Sequence, residues 1–411
     1  MSQTSSCHEK AAKKKIAIIT ELSLNNLNYG NRIQAFALNY YLKKNYPEFN
    51  VETLLLREKT GREVTSWLHN IKRTGKRISD IFSIDYIKRK IARISGKKDK
   101  KDKGNKDVSA VKRLKRFNEF VRKNISVSNK EYSYIDLSES LFDFYFVGSD
   151  IVWYQESGFV YKTKFLGFAP KNSNAKKIAY AASFGENIIP KENVKSIKKF
   201  LSDFKMISVR ESKSVKLLDS IGVSGAKHVC DPALLLTAED WNVVSEDVEN
   251  IEKYKKKKYA LIYILGNDKK ENTIKELCEK NGIEPVFIPS GKTYSDTILR
   301  DYGIDDCSPQ EWVWLIKHAT YVFTDSFHGL VFSTIYQKPF FVVKRDGERD
   351  LNIRMTDYLD TIGEQDKLVS IEEIGLFNTY NWDYEKIGKR LEPFIKISKE
   401  YIKEALNDNN I

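Results

Sequence analysis

Few features of this sequence commit it to disulfide, metal or membrane chemistry. Its 411 residues include 4 cysteines. Cys7, Cys230, Cys278 and Cys307 stand far apart, with no CxxC pair and no Cys/His ligand spacing. That pattern argues against structural zinc, and a chain of this length does not depend on a disulfide framework. The four read as reduced thiols. No run approaches the roughly 20 apolar residues of a membrane span. The first apolar run, Ile16–Ile19, follows a polar and then basic start and is too short for a signal-peptide core. The expectation is a cytoplasmic protein. A GxGxxG fingerprint and a Walker-type P-loop are both missing.

What is present describes a folded chain. Hydrophobic residues make up 41% and aromatics 12%, with only 9 prolines and 20 glycines, which excludes a disordered composition. The length exceeds what one core usually supports, so two domains are expected. The net charge of +13 suggests nucleic acid until it is located. Residues 57–130 hold 24 Lys and Arg against 8 Asp and Glu, a net +16, so the rest of the chain is net −3. No nucleic-acid-binding motif accompanies this insertion. Within it Ile84, Ile87, Ile91 and Ile94 recur at helical spacing among Lys88, Arg89, Lys90 and Arg93. Such a helix either meets an anionic membrane surface or packs on the body, with Lys97–Lys106 as a solvated loop.

Short apolar runs recur along the chain: Lys15–Thr20, Tyr145–Gly148, Lys177–Ala182, Met206–Val209, Tyr259–Leu265, Pro285–Ile288, Ala319–Thr324 and Pro339–Val343. They do not alternate, which suits strands of a parallel sheet covered on both faces. Helical segments such as Asn31–Asn45, Val194–Phe204 and Thr273–Asn281 lie between several of them, predicting βαβ units. The pattern starts twice. It predicts a tail over 1–14, a Rossmann-like half over 15–240, a linker over 241–258, a second Rossmann-like half over 259–378 and a C-terminal helix within 379–411. Two such halves, with the last helix packing back on the first, form an α/β, GT-B-like arrangement.

Parallel sheets place ligands at the carboxyl ends of their strands. The residues there are Asn28-Tyr29-Gly30-Asn31 with Gln34, Gly148-Ser149-Asp150 with Trp153, Ser183-Phe184-Gly185, Arg210-Glu211, Cys230-Asp231-Pro232 and Thr324-Asp325-Ser326-Phe327-His328-Gly329. Ser326 is a suitable N-cap for a helix through Val331–Tyr336. His328 then lies in its first turn, where free amides favour an anion and a bound anion keeps the imidazole protonated. Arg210 is either an anion fork or an ion partner of Glu211 or Asp231. Asp150 is either a base for a hydroxyl or a cap, and Asp231 reads as a turn anchor.

In this order the same motifs, with Ala179-Tyr180-Ala181-Ala182-Ser183-Phe184-Gly185, Asp231-Pro232-Ala233-Leu234-Leu235-Leu236 and Asn352-Ile353-Arg354, make the chain resemble the polysaccharide pyruvyl transferases. The resemblance spans nearly everything except the tail and the basic insertion. It implies transfer of the enolpyruvyl carbons of phosphoenolpyruvate onto two hydroxyls of a sugar, lipid-linked or nucleotide-linked, with phosphate released and no metal or organic cofactor. Carried over by position, His328 is the acid, Arg210, Ser326, Phe327, Gly329 and Arg354 hold the donor, and Asp150 serves the acceptor hydroxyl. Asn28, Tyr29, Gly30, Gln34 and Trp153 line the acceptor side. The family's characterised members carry an Arg where this chain has Ser326, and Arg345, Arg349 and Arg354 are the candidates to supply that charge. The alternatives are a GT-B glycosyltransferase using a nucleotide sugar and a non-catalytic glycan-binding member.

Overall fold

The computed structural model describes residues 13–57, 61–65, 101–139, 141–169, 174–186, 188–246, 248–249, 251–266, 270–289, 302–345 and 352–407. The tail before Lys13, the Ile84–Ile94 pattern, Cys7 and Arg349 lie outside them. The strands are β1 (Lys15–Ile19), β2 (Asn50–Leu56), β3 (Arg62–Val64), β4 (Val127–Tyr132), β5 (Phe144–Val147), β6 (Phe159–Tyr161), β7 (Lys176–Ala182), β8 (Met206–Val209) and β9 (Lys227–His228) in the first half. The second half holds β10 (Tyr259–Tyr263), β11 (Glu284–Phe287), β12 (Tyr321–Thr324), β13 (Phe340–Val343) and β14 (Leu368–Val369).

Two parallel sheets carry the architecture. The first runs β4-β2-β1-β5-β7-β8-β9 and the second β11-β10-β12-β13-β14, while β3 and β6 form a small antiparallel ribbon. The apolar runs explain the sheets. Ile16–Ile19 and Phe144–Val147 are buried along their whole length because helices cover both faces. β1 is an interior strand, pairing Ile16 with Val51 on one side and Phe144 on the other. The helix Tyr384–Leu406 returns to the first half: Tyr401 donates to the Ala179 carbonyl at 2.8 Å, and the Cys230 amide donates to Ser398 at 2.8 Å. The arrangement is GT-B-like.

The segment expected as a linker is packed. Thr237 caps a helix, Ala238–Ser245, through a capping box. From it Trp241, fully buried, lies between Phe36 (5.3 Å) and Phe332 (4.7 Å). Ile251 and Tyr254 are also buried. An apolar side chain of this size contributes about 1.5–3 kcal/mol by leaving water, so a free tether is disfavoured here.

Part of the basic insertion is framework too. The helix Lys101–Asn124 begins inside the stretch expected as a solvated loop, lysine being a good helix former. Its Phe117, Phe120 and Val121 are buried, Phe120 against Phe36 at 6.0 Å. Arg116 forks onto the fully buried Glu311 of the second half. Tyr29 completes this seam, stacked on Trp312 at 5.7 Å and edge-on to Phe117 and Tyr263. Its hydroxyl donates to the Cys307 carbonyl at 2.8 Å. The two halves therefore share one continuous apolar core.

Candidate active site

The cleft is built where the strands end. After β5 the chain turns through Gly148 (φ +127), where an added Cβ would run into the carbonyl oxygen of Tyr180. Glycine is required at that close approach. Asp150 follows at φ +59, a conformation that Asp tolerates better than most residues. Its backbone carbonyl accepts from Val152 and Ser183, so the turn is locked from both sides. The Asp150 side chain has one committed oxygen: Oδ2 accepts from Asn31 Nδ2 at 2.6 Å. Oδ1 faces Arg210 Nη1 at 3.6 Å and Arg354 Nη1 at 4.0 Å.

Arg210, delivered by the end of β8, is the hub. Nε donates to Glu211 Oε1 at 2.9 Å and Nη1 to Asp231 Oδ2 at 3.0 Å. Both pairings anticipated for this residue exist together. Its guanidinium lies 4.2 Å over the Phe327 ring, and Nη2 is buried without an acceptor. Burial opposes the charge, but Glu211, Asp231 and Asp150 outweigh it and raise the pKa above the ordinary arginine value. Asp150 shows the converse. Burial alone would raise its pKa, yet Arg210, His328 and Arg354 hold it below the usual carboxylate range. Asp231 is depressed for the same reason, with His328 and Arg210 overcoming burial. Arg354, on helix Ile353–Ile362, is lowered to about 10 by burial and then by its neighbour Arg210. Its Nε is likewise buried and unpaired.

His328 enters from the second half. Ser326 caps helix Phe327–Ile335 by accepting from the Gly329 amide, while the Ser326 amide donates to Thr324 Oγ1 at 3.0 Å. Gly329 permits that tight turn, since an added Cβ would stand 3.0 Å from Thr324 Cβ. The imidazole is nearly enclosed. Nε2 is 3.6 Å from Asp231 Oδ2, an ion-pair distance rather than a hydrogen bond, and has no other partner. Gly30 lies directly against the ring. A Cβ there would be 2.9 Å from Cε1, 3.0 Å from Cγ and closer still to Nδ1 of His328.

The fold thus gathers His328, Asp150, Arg210, Arg354, Phe327 and Gly30 from both sheets into one cluster. The other six expected site residues have structural roles in the fold. Trp153 is fully buried, stacked on Phe165 at 5.4 Å with its indole N–H on the Lys164 carbonyl, so it has no surface to offer a sugar. Tyr29 is enclosed in the seam. Gln34 is buried and braces the ends of β1 and β5, donating to Thr20 Oγ1 at 2.8 Å and accepting from the Ser149 amide. Asn28 is exposed and caps helix Tyr29–Asn45. Ser326 and Gly329 shape the helix start.

Sequence reasoning named no role for Asn31 or Ser149 and gave Asp231 less than its full one. Asn31 anchors Asp150 and is itself held by Asn26 Nδ2 at 3.3 Å. Ser149 Oγ lies 3.0 Å from the Ala181 carbonyl and 3.1 Å from Asp231 Oδ2. Asp231 anchors the turn as anticipated, accepting from the Ala233 amide at 3.0 Å, but its other oxygen organises the cluster. One carboxylate with two roles is not separable in sequence. Among the described residues no group of three or more His, Cys, Asp or Glu side chains is placed to hold a metal ion, and no helix is long and apolar enough to cross a membrane.

Solved structures similar to the chain include the UDP-GlcNAc 2-epimerase of Methanocaldococcus jannaschii. It is 13% identical, covers 93% of this chain and 92% of its own, and has a TM-score of 0.46. The UDP-GlcNAc 2-epimerase of Neisseria meningitidis bound to UDP-GlcNAc is 10% identical, with coverages of 96% and 95% and a TM-score of 0.43. The wall teichoic acid polymerase TagF is 10% identical, covers 96% and 89%, and has a TM-score of 0.47. No curated protein matches the sequence. The family model of polysaccharide pyruvyl transferase matches residues 28–347, most of the chain, and the protein belongs to that family.

Proposed function

We propose that the protein transfers the enolpyruvyl carbons of phosphoenolpyruvate to two hydroxyls of a sugar in a polysaccharide precursor, forming a pyruvate ketal and releasing phosphate. The observation that carries this is the convergence of an enclosed imidazole, two buried guanidiniums with unpaired nitrogens and an ionised Asp150 in one cleft. Unpaired buried donors are costly unless a ligand satisfies them, and a donor with a carboxylate and a phosphate supplies the acceptors.

In this reading His328, as imidazolium, protonates the methylene carbon of the donor, leaving an electron-poor C2. One sugar hydroxyl adds to C2 as Asp150 Oδ1 takes its proton. The C2–O bond to phosphate then breaks, and the second hydroxyl adds. Of the two hydroxyl protons, one balances the new methyl group and the other leaves on phosphate. Asp150 is a weak base at rest because the cations hold its pKa low. Donor anions bound to Arg210 and Arg354 offset that pull and raise its basicity. The acceptor is lipid-linked or nucleotide-linked, and no cofactor is invoked.

The test is a thermal-shift titration with phosphoenolpyruvate and with nucleotide sugars, for wild type and His328→Ala. Stabilisation by phosphoenolpyruvate that is lost in the variant is expected, since a ligand of the native state raises the melting temperature. Stabilisation by a nucleotide sugar alone, with cleavage of that sugar, would replace this reading with a glycosyltransferase.

A further inference from the structure

Four nitrogens at the cleft are buried without an acceptor: Arg210 Nη2, Arg354 Nε, His328 Nε2 and Arg345 Nη2. The first three belong to the machinery already described. Arg345 follows β13, and its backbone is fixed by Asn352, which accepts from the Arg345 amide at 2.9 Å and donates to its carbonyl at 3.1 Å. Its Nε donates to Asp325 Oδ2 at 3.0 Å. Asp325 in turn is held by the Leu265 amide at 2.6 Å and the Gly266 amide at 2.9 Å. Gly266 has no room for a side chain, since a Cβ would stand 2.9 Å from that carboxylate.

Two facts separate Arg345 from a simple partner of Asp325. An arginine serving only a carboxylate can present both arms of its fork, whereas here one arm is used and another nitrogen is buried with nothing to bind. Second, Asp325 immediately precedes the cap Ser326, so its partner guanidinium is tied to the start of the helix that carries His328. Arg345 is close enough to Arg354 for its charge to help lower that residue's pKa. Arg345 thus stands beside the residue that leads into this helix, and a guanidinium with a spare nitrogen suits a phosphate. Arg210 and Arg354 instead converge on Asp150 Oδ1, at 3.6 and 4.0 Å, and so form a separate pair of cations.

We infer that Arg345 clamps the phosphate of the donor at the start of helix Phe327–Ile335, leaving Arg210 and Arg354 to the donor's carboxylate. This division of the two anionic groups rests on the donor proposed above.

The test titrates inorganic phosphate and pyruvate separately into the full chain by calorimetry, for wild type, Arg345→Gln and Arg354→Gln. Loss of a charge-assisted bond corresponds to about tenfold or more in affinity. Arg345→Gln should weaken phosphate by that factor and leave pyruvate unchanged, and Arg354→Gln should do the reverse. If Arg345→Gln fails to fold, Arg345→Lys decides: it keeps a charge for Asp325 but loses the fork, and phosphate should still weaken. Phosphate binding unchanged in a folded Arg345 variant overturns the inference, as does equal weakening of both anions. A wild type that binds neither anion overturns both the clamp and the donor. Phosphate binding that depends on Arg345, without any pyruvate binding, keeps the clamp and sinks the enolpyruvyl donor.

Discussion

Gly30→Ala offers a sharp test because two physical effects act in opposite directions. Gly30 is the second residue of helix Tyr29–Asn45 and is not among the positive-φ glycines, so its backbone accepts alanine. Helix propensity alone favours the change by about 1 kcal/mol. The site does not. The new methyl would lie 2.9 and 3.0 Å from two ring carbons of His328, where ordinary van der Waals contact starts at 3.4 Å. The imidazole has little space for retreat, being 5% exposed and edge-on to Phe327 at 5.3 Å. Overpacking of this kind costs about 1–3 kcal/mol, so the two terms leave a net destabilisation of roughly 0–2 kcal/mol. Function should suffer far more, since a reacting group misplaced by about 1 Å loses on the order of 10²-fold in rate. The assay pairs phosphate release from phosphoenolpyruvate with thermal unfolding. A variant that folds and retains wild-type turnover would refute the placement of His328 at the reacting carbon.

Other expectations follow from single contacts. Asp231→Asn breaks a fully buried charge pair with Arg210 and should cost about 3–5 kcal/mol in denaturant unfolding near neutral pH. Because the folded pKa of Asp231 is depressed, that contribution is complete above the ordinary carboxylate pKa and fades as pH falls through the folded one. The gap between wild type and variant should therefore be flat above about pH 5 and narrow below about pH 4; a gap widening in acid contradicts the pairing. Tyr29→Phe removes only the bond to the Cys307 carbonyl and should lower stability by about 1 kcal/mol with turnover intact. A large loss of turnover would return Tyr29 to the acceptor site. Burial pushes the thiols of Cys230 and Cys278 up to about 12, so neither should alkylate in the native protein at pH 8, and both should after unfolding; native labelling at either position would contradict their enclosure.

Much of the frame was legible because parallel sheets advertise themselves in sequence. Runs such as Ile16–Ile19 and Tyr259–Tyr263 are apolar throughout, as burial on both faces demands. The helix Tyr384–Leu406 follows its apolar spacing over the full expected length. β2 and β4 escaped notice for the complementary reason. Glu52 and Thr53 interrupt β2, and β4 is an edge strand whose Asn129, Lys130 and Glu131 face solvent. Residues 241–258 looked like a linker from their Lys and Glu content, but Trp241 and Tyr254 decide their position through burial that composition does not reveal.

At the site, sequence by itself determined which residue types end each strand. It thereby nominated His328, Asp150, Arg210 and Gly30, since a parallel strand's carboxyl end is where side chains meet ligand. Tertiary structure decided what each does. Asp150 and Asn31 lie 119 positions apart, and His328 approaches Asp231 from the other half of the chain. Trp153 occurs in a site motif yet fills a separate apolar cluster within the first half. Whether a polar side chain meets ligand or neighbour depends on distances between elements remote in sequence, and those distances are set by how the two sheets share a core.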